Sequence, residues 1–130
     1  MNQVESNHSR TAVCTEKKEN TDKLSSKYNC PIEATLDLIG GKYKSIILWH
    51  LTNGTLRFNE LSKVIPQATP KMLTQQLREL ENDGLVNRVV YPVIPPKVEY
   101  SLSEFGKSII PILDSMCTWG TRYLRDFKCD

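Results

Sequence analysis

Residues 66–78 read PQATPKMLTQQLR, and this stretch decides the fold. Thr69 is a favourable helix N-cap, and Pro70 follows at the first helical position, where its missing N–H group costs nothing. Apolar side chains then recur at helical spacing and predict one buried face; they are Leu73, Leu77 and Leu80. The pattern therefore predicts a tight turn followed by an amphipathic helix.

The opposite face of this helix carries side chains that donate hydrogen bonds to phosphates and to base edges. These residues, the polar face, are Lys71, Thr74, Gln75 and Arg78. A short helix with one apolar face and one such polar face suits the major groove of DNA. The pattern is equally typical of an ordinary amphipathic surface helix, so the helix alone leaves both interpretations open.

The neighbouring segments favour DNA binding. A helix predicted over residues 59–65 is closed by Pro66, and helix, tight turn and helix together form a helix-turn-helix unit. Two earlier helices are expected, one from Pro31 to the glycines at 40–41 and one over residues 42–52. Gly84 can adopt the left-handed conformation that ends the second helix of the unit.

Two strands are predicted after Gly84, over residues 85–91 and 97–102. Residues 92–96, PVIPP, form the tip of the hairpin between them, and Lys97 and Arg88 lie near its base. A helix-turn-helix followed by a hairpin is a winged helix, whose wing reaches the minor groove or the phosphates. The fold class is therefore mainly α with a small β-hairpin (α+β); a plain surface hairpin is the alternative for the wing.

Ser103 is expected to cap a long last helix that runs to about Phe127, and Pro111 is expected to kink this helix or to displace one of its hydrogen bonds. Its apolar stripe is broader than packing on a small domain requires, which favours a dimer interface over burial within one chain. The residues expected at that interface are Ile109, Leu113, Met116, Trp119 and Tyr123.

Length and composition set further limits. The 130 residues, 39% hydrophobic and 25% charged, fit one globular domain, with a flexible polar arm over residues 1–28 and the folded domain over 29–128. The net charge of +2 neither requires nor excludes a nucleic-acid partner. No apolar run is long enough to span a membrane and no secretory signal is present, so a cytoplasmic location is expected.

Four cysteines without C-x-x-C spacing and only two histidines give no basis for a metal site, and no cofactor is predicted. No catalytic set of Ser, His and Asp, phosphate loop or carboxylate pair has persuasive spacing, so the chain is not expected to be an enzyme.

Several blocks of sequence resemble the HxlR family of bacterial transcription regulators. The blocks are CPIE (30–33), LDLIGGK (36–42), ILWHL (47–51), RFNEL (57–61), MLTQQLRELE (72–81), DGLV (83–86), PPKVEYSL (95–102) and WG (119–120). They follow one another over about residues 30–127. Tyr43 departs from the pattern, because the family usually has Trp there.

The resemblance implies a homodimeric winged helix-turn-helix protein, related in architecture to MarR-type regulators, that binds a double-stranded DNA operator. By similarity, the helix from Thr69 enters the major groove and residues 92–97 are the wing. The residues expected to contact DNA are Thr69, Pro70, Lys71, Thr74, Gln75, Arg78 and Lys97. Two alternatives stay open: a winged helix that binds another protein, and a regulator controlled by a small ligand.

Cys30 is a candidate redox-sensing thiol. It precedes Pro31 at the start of the opening helix, where the helix dipole and free N–H groups stabilise a thiolate. Several HxlR-like regulators are similar in having a cysteine near the N-terminus that senses electrophiles or oxidants. The alternative is a partly buried structural cysteine that does not react.

Overall fold

The structure is a computed structural model that describes residues 27–127, with the backbone alone at Phe127. Most of the predicted arm, residues 1–26, lies outside the described residues. The helices are α1 (Pro31–Ile39), α2 (Lys44–Leu51), α3 (Phe58–Val64), α4 (Pro70–Asn82), α5 (Glu104–Lys107) and α6 (Ile110–Phe127), and the strands are β1 (Leu56–Arg57), β2 (Val86–Tyr91) and β3 (Lys97–Leu102). Across residues 27–127, no helix is both long enough and apolar enough to cross a membrane.

The chain divides into two units, residues 1–37 and residues 38–130. The described part of the first unit is residues 27–37, most of which belong to α1. The second unit contains the core, formed mainly by side chains from α2, α3 and α4. Its fully buried members, all less than 2% exposed, are Ile47, Leu48, Leu61, Ile65, Leu73, Leu77, Leu80 and Leu85. The predicted buried face of α4 is confirmed.

The turn between α3 and α4 is held from within. Ile65 and Ala68 are both buried, and the Ala68 N–H donates to the Ile65 carbonyl at 3.2 Å. Thr69 has the extended backbone of an N-cap, and its hydroxyl accepts the Met72 N–H at 3.1 Å. Pro70 is the first residue of α4. The predicted helix-turn-helix is therefore present, with the predicted cap.

The end of α4 is fixed by Gly84, whose φ is +83°. The Leu85 N–H donates to the Leu80 carbonyl at 3.0 Å, and the Gly84 N–H donates to the Glu81 carbonyl at 3.0 Å. This pair of bonds is a Schellman motif, which requires a left-handed residue at the position of Gly84. The chain consequently leaves α4 directly into β2.

The strands form a three-stranded antiparallel sheet in the order β1-β3-β2. The β2–β3 hairpin pairs Val86 with Leu102 at its base and Tyr91 with Lys97 at its outer end. Both predicted strands are confirmed. A short third strand, β1, precedes α3 and joins the sheet, since Leu56 pairs with Tyr100.

The prediction of one long helix from Ser103 is wrong in one respect, because the helix is interrupted between α5 and α6. Pro111 has no N–H to donate to the Lys107 carbonyl, so a continuous helical ladder cannot pass this point. Instead, the Ser108 and Ile109 N–H groups donate to carbonyls three residues back, at 3.1 and 3.2 Å. The proline thus breaks the helix rather than kinking it.

Candidate functional site

The polar face of α4 is open to solvent. Lys71, Thr74, Gln75 and Arg78 are all exposed. Together with Pro70 they line one shallow depression. Thr69 lies at the helix start, where its hydroxyl is engaged in capping. The structure therefore brings together on one element six of the seven residues expected to contact DNA; Lys97 lies on β3 instead.

The cations of the polar face are available to an anionic partner. Among the ion pairs found within residues 27–127, none involves Lys71 or Arg78. Several other basic residues in the same range are paired with carboxylates; they are Lys27, Lys44, Lys97, Lys107 and Arg125. Positive charge without an internal counter-ion favours phosphate contacts.

An ion pair between a buried lysine on α2 and a half-exposed glutamate on α4 joins the two helices. The Lys44 ammonium is 2.6 Å from Glu79 Oε1, and the Lys44 side chain is only 8% exposed. Gln75 Nε2 donates to the other Glu79 oxygen at 3.3 Å. The Lys44 ammonium, and less strongly the Gln75 amide, hold the pKa of the Glu79 carboxyl below its ordinary value. Glu79 thus links the buried lysine to a residue of the polar face.

Tyr43, at the end of the loop that precedes α2, also contributes to the contact between α2 and α4. Its N–H donates to Gln76 Oε1 at 3.1 Å, and its hydroxyl donates to the Gln67 carbonyl at 3.2 Å. A Cβ atom at Gly41 would lie 2.5 Å from Gln76 Oε1, so only glycine fits there while this bond is kept. This tyrosine, at a position where the family usually has Trp, is 4% exposed, and its hydroxyl forms a hydrogen bond with the turn before α4.

Lys97, at the outer end of the wing, is engaged within the hairpin. Its ammonium lies 3.3 Å from Glu99 Oε2 and 4.9 Å from the centre of the Tyr91 ring. The Tyr91 hydroxyl donates to Glu99 at 3.0 Å, and this bond is the main reason that the pKa of Glu99 is lowered. The charge of Lys97 is therefore partly neutralised before any DNA arrives.

The residues expected at a dimer interface fall into two groups. Met116, Trp119 and Tyr123 are 48%, 68% and 41% exposed, and the rings of the last two stack with centroids 5.6 Å apart. Leu113 is only 3% exposed because it packs into the core of its own chain, and Ile109 is half-buried against the same core. The expectation that Leu113 contacts a second copy is therefore corrected: it is a core residue.

Cys30 is exposed, with a free thiol, immediately before α1. The Glu33 carboxylate accepts the N–H groups of both Asn29 and Cys30, at 2.7 and 3.0 Å. We expect free N–H groups at the start of this helix to favour a thiolate. In the structure these two N–H groups instead donate to the Glu33 carboxylate. Burial as a structural residue, the alternative considered for Cys30, does not apply, because the side chain is open to solvent.

Comparison with known proteins decides the family. The profile described as HxlR-like helix-turn-helix matches residues 38–128, most of the chain. The chain belongs to the HxlR family. It is 58% identical over 98 residues to the HTH-type transcriptional regulator YtcD of Bacillus subtilis (strain 168), covering 75% of this chain and 78% of YtcD. This HxlR-family chain is accordingly a DNA-binding transcriptional regulator.

Solved structures agree with the HxlR assignment. The redox regulator HypR in its oxidised form is similar with a TM-score of 0.69 and 55% identity, over 71% of this chain and 95% of that chain. Its reduced form gives a TM-score of 0.71 and 54% identity, over 75% and 95%. The MarR-like winged-helix architecture inferred from sequence is confirmed.

The residues that dock α4 were not found from the sequence. Lys44, Gln76 and Glu79 read as solvated polar positions, since nothing in the pattern shows which lysine of residues 42–44 is buried. The one available signal was the spacing of Gln75 and Glu79, four residues apart on the same helix, which allows a side-chain hydrogen bond. That signal locates a contact but not the buried lysine beneath it.

The acid dependence of stability tests this ion pair. A carboxyl whose pKa is lowered on folding stabilises the fold above its unfolded pKa, and that stabilisation is lost as the pH falls through the folded pKa. We expect Glu79→Gln to unfold more easily than the wild type at neutral pH, because Lys44 stays buried without a counter-ion. It should also lose less of its unfolding free energy on acidification, as measured by urea denaturation at a series of pH values.

Glu81→Gln is the matched control, since it removes a carboxylate from the same helix that forms no ion pair within the described chain. It should follow the acid dependence of the wild type. Parallel curves for wild type and Glu79→Gln would show that the Lys44–Glu79 pair does not stabilise the fold.

Proposed function

We propose that this regulator binds its operator as a homodimer, with the polar face of α4 in the major groove and residues 92–97 as the wing. One observation carries the proposal: the polar face is exposed, its cations form no ion pair among residues 27–127, and Leu73, Leu77 and Leu80 anchor its opposite side. Phosphate contacts then position the helix, and contacts to base edges give it sequence preference. Such a protein acts where the chromosome is, in the cytoplasm, and needs no catalysis.

Two substitutions on the polar face test this assignment. Arg78→Ala and Gln75→Ala should each cost about 1–3 kcal/mol in binding to the intergenic DNA upstream of the gene, if these side chains contact bases. Arg78→Lys keeps the charge but loses the bidentate fork, so it should lose preference for the operator more than general affinity for DNA. Fluorescence anisotropy with operator and scrambled duplexes measures both.

Lys107→Ala is the charge control, because Lys107 lies on α5 and pairs with Glu104. It should bind operator DNA like the wild type. If Arg78→Ala and Gln75→Ala also bind like the wild type, the polar face is not the DNA-reading surface. A wild-type protein whose binding to DNA is weak and insensitive to salt would favour the rival function, a winged helix that binds another protein.

The dimer is proposed to form through the exposed side of α6. Met116, Trp119 and Tyr123 lie on one side of this helix, and large apolar side chains exposed together on one helix face are typical of an interface. A twofold dimer also places two copies of α4 so that they can meet half-sites one turn of DNA apart.

We expect Trp119→Asp to shift the protein from dimer to monomer, because a carboxylate buried in an apolar interface is costly. Thr121→Asp is the matched control, since two residues further along a helix the side chain points to the opposite face. Sedimentation equilibrium at a series of protein concentrations measures the dissociation constants. Equal constants for the two variants would exclude this face of α6.

We propose Cys30 as the residue through which oxidants control binding. Its thiol is exposed, and HypR, a similar protein, is described as a redox regulator with oxidised and reduced forms. A modification that changes DNA occupancy from dominant to rare must supply about 5 kcal/mol of differential stability between the two states. Oxidation of an exposed thiol to sulfenic acid, or with a second thiol to a disulfide, enlarges the group and changes its hydrogen bonding.

Hypochlorite treatment should therefore abolish operator binding by the wild type and leave Cys30→Ser unaffected, as measured by gel shift. Cys117→Ser, which removes the other exposed free cysteine of the described chain, should respond like the wild type. Loss of binding by oxidised Cys30→Ser would overturn the sensor assignment.

A further inference from the structure

Arg88, on β2, lies beside the polar face of α4. Arg88 and Arg78 line the same depression, together with Thr74, Glu81 and Tyr100. Arg88 pairs in register with Tyr100, which is 8% exposed, and it follows the buried Val86 by two residues. Since alternate residues of a strand share a face, Arg88 extends from the same side of the sheet as the core, next to α4.

The charges in this depression are not balanced internally. Across residues 27–127, neither Arg78 nor Arg88 forms an ion pair, and Glu81 is the one carboxylate that lines the depression. Two guanidinium groups therefore face one carboxylate. Positive charge concentrated in a depression on the surface attracts anions, and the guanidinium fork matches the geometry of phosphate.

The rest of the wing has little charge to offer DNA. Residues 92–96 at its tip read PVIPP and contain no cation. Lys97 is paired with Glu99 at 3.3 Å and lies against the Tyr91 ring. Arg88 is thus the cation of the hairpin that has no counter-ion among the described residues.

We propose that Arg88 binds a DNA backbone phosphate next to the base read by Arg78, and so joins the major-groove helix to the wing. This proposal rests on the proposed function. The two arginines then have different roles, since Arg78 gives sequence preference and Arg88 gives affinity that does not depend on sequence. Glu81, facing the same phosphate, weakens binding by repulsion.

The dependence of binding on salt separates these two roles. Arg88→Gln should weaken binding to operator and to scrambled duplex by the same factor, about tenfold at moderate salt. Its plot of log affinity against log salt should lose about two units of slope, because the dimer loses one phosphate contact in each of its two protomers. Arg88→Lys should keep the wild-type slope. Glu81→Gln should bind both duplexes more tightly than the wild type.

Lys107→Ala is again the charge control, with the slope and affinity of the wild type expected. Arg88→Gln should also show the thermal unfolding of the wild type, since an exposed side chain is replaced. If Arg88→Gln is less stable than the wild type, Glu81→Gln tests the proposal independently, because it alters only an exposed carboxylate on α4.

Three results would overturn the inference. The first is that Arg78→Ala weakens operator binding while one of the other two variants behaves like the wild type. Arg88→Gln would then show the wild-type salt slope and affinity, or Glu81→Gln would show the wild-type affinity. The second is a loss of sequence preference in Arg88→Gln, which would make Arg88 a base contact. The third is that inorganic phosphate stabilises the free wild type but not Arg88→Gln, while both bind DNA equally well. The depression would then be a site for a free anion. If the wild type binds neither duplex, the proposed function itself fails.

Discussion

The ion pair between Lys44 and Glu79 is the contact on which the DNA-binding surface depends. A lysine that is 8% exposed must have a partner, because a buried charge without one is far more costly than a paired one. The partner is on α4, so the pair favours the rotational setting of the helix in which Glu79 faces α2. In that setting its leucines enter the core and the polar face points outward.

Neighbouring bonds make this docking more specific. Tyr43 bonds both Gln76 on α4 and the carbonyl of Gln67 in the preceding turn, and Gly41 leaves room for the Gln76 side chain. Glu79 also accepts a hydrogen bond from Gln75, a residue of the polar face. Gln75, one of the residues proposed to contact DNA, is thus oriented by a polar contact beneath it, and such support is what accurate recognition requires.

The local pattern of α4 could be predicted from the sequence because it is set by short-range rules. The cap at Thr69, the proline that follows it and the left-handed Gly84 each depend on a few adjacent residues. The polar docking contacts could not be predicted, because they join residues more than thirty positions apart, as Tyr43 and Gln76 are. Lys42 and Lys44 look alike in the sequence, and only the fold decides which one is buried.

The errors have the same origin. Leu113 fits the apolar stripe of a dimer helix, but periodicity cannot tell a stripe that faces its own core from one that faces a second copy. Pro111 indicated a disturbance, and the break lies just before it because the N–H that Pro111 lacks would have donated to the Lys107 carbonyl in the preceding turn. Lys97 stays a predicted DNA contact, and its contacts with Glu99 and with the Tyr91 ring could not be predicted because they form together only in the folded hairpin.

Amide chemical shifts recorded while the upstream operator duplex is added to the protein show directly which surface binds DNA. We expect the largest changes over residues 71–78 of α4 and at Arg88, with small changes along α6 around Trp119. Changes concentrated on α6, with those of α4 unaltered, would contradict this expectation.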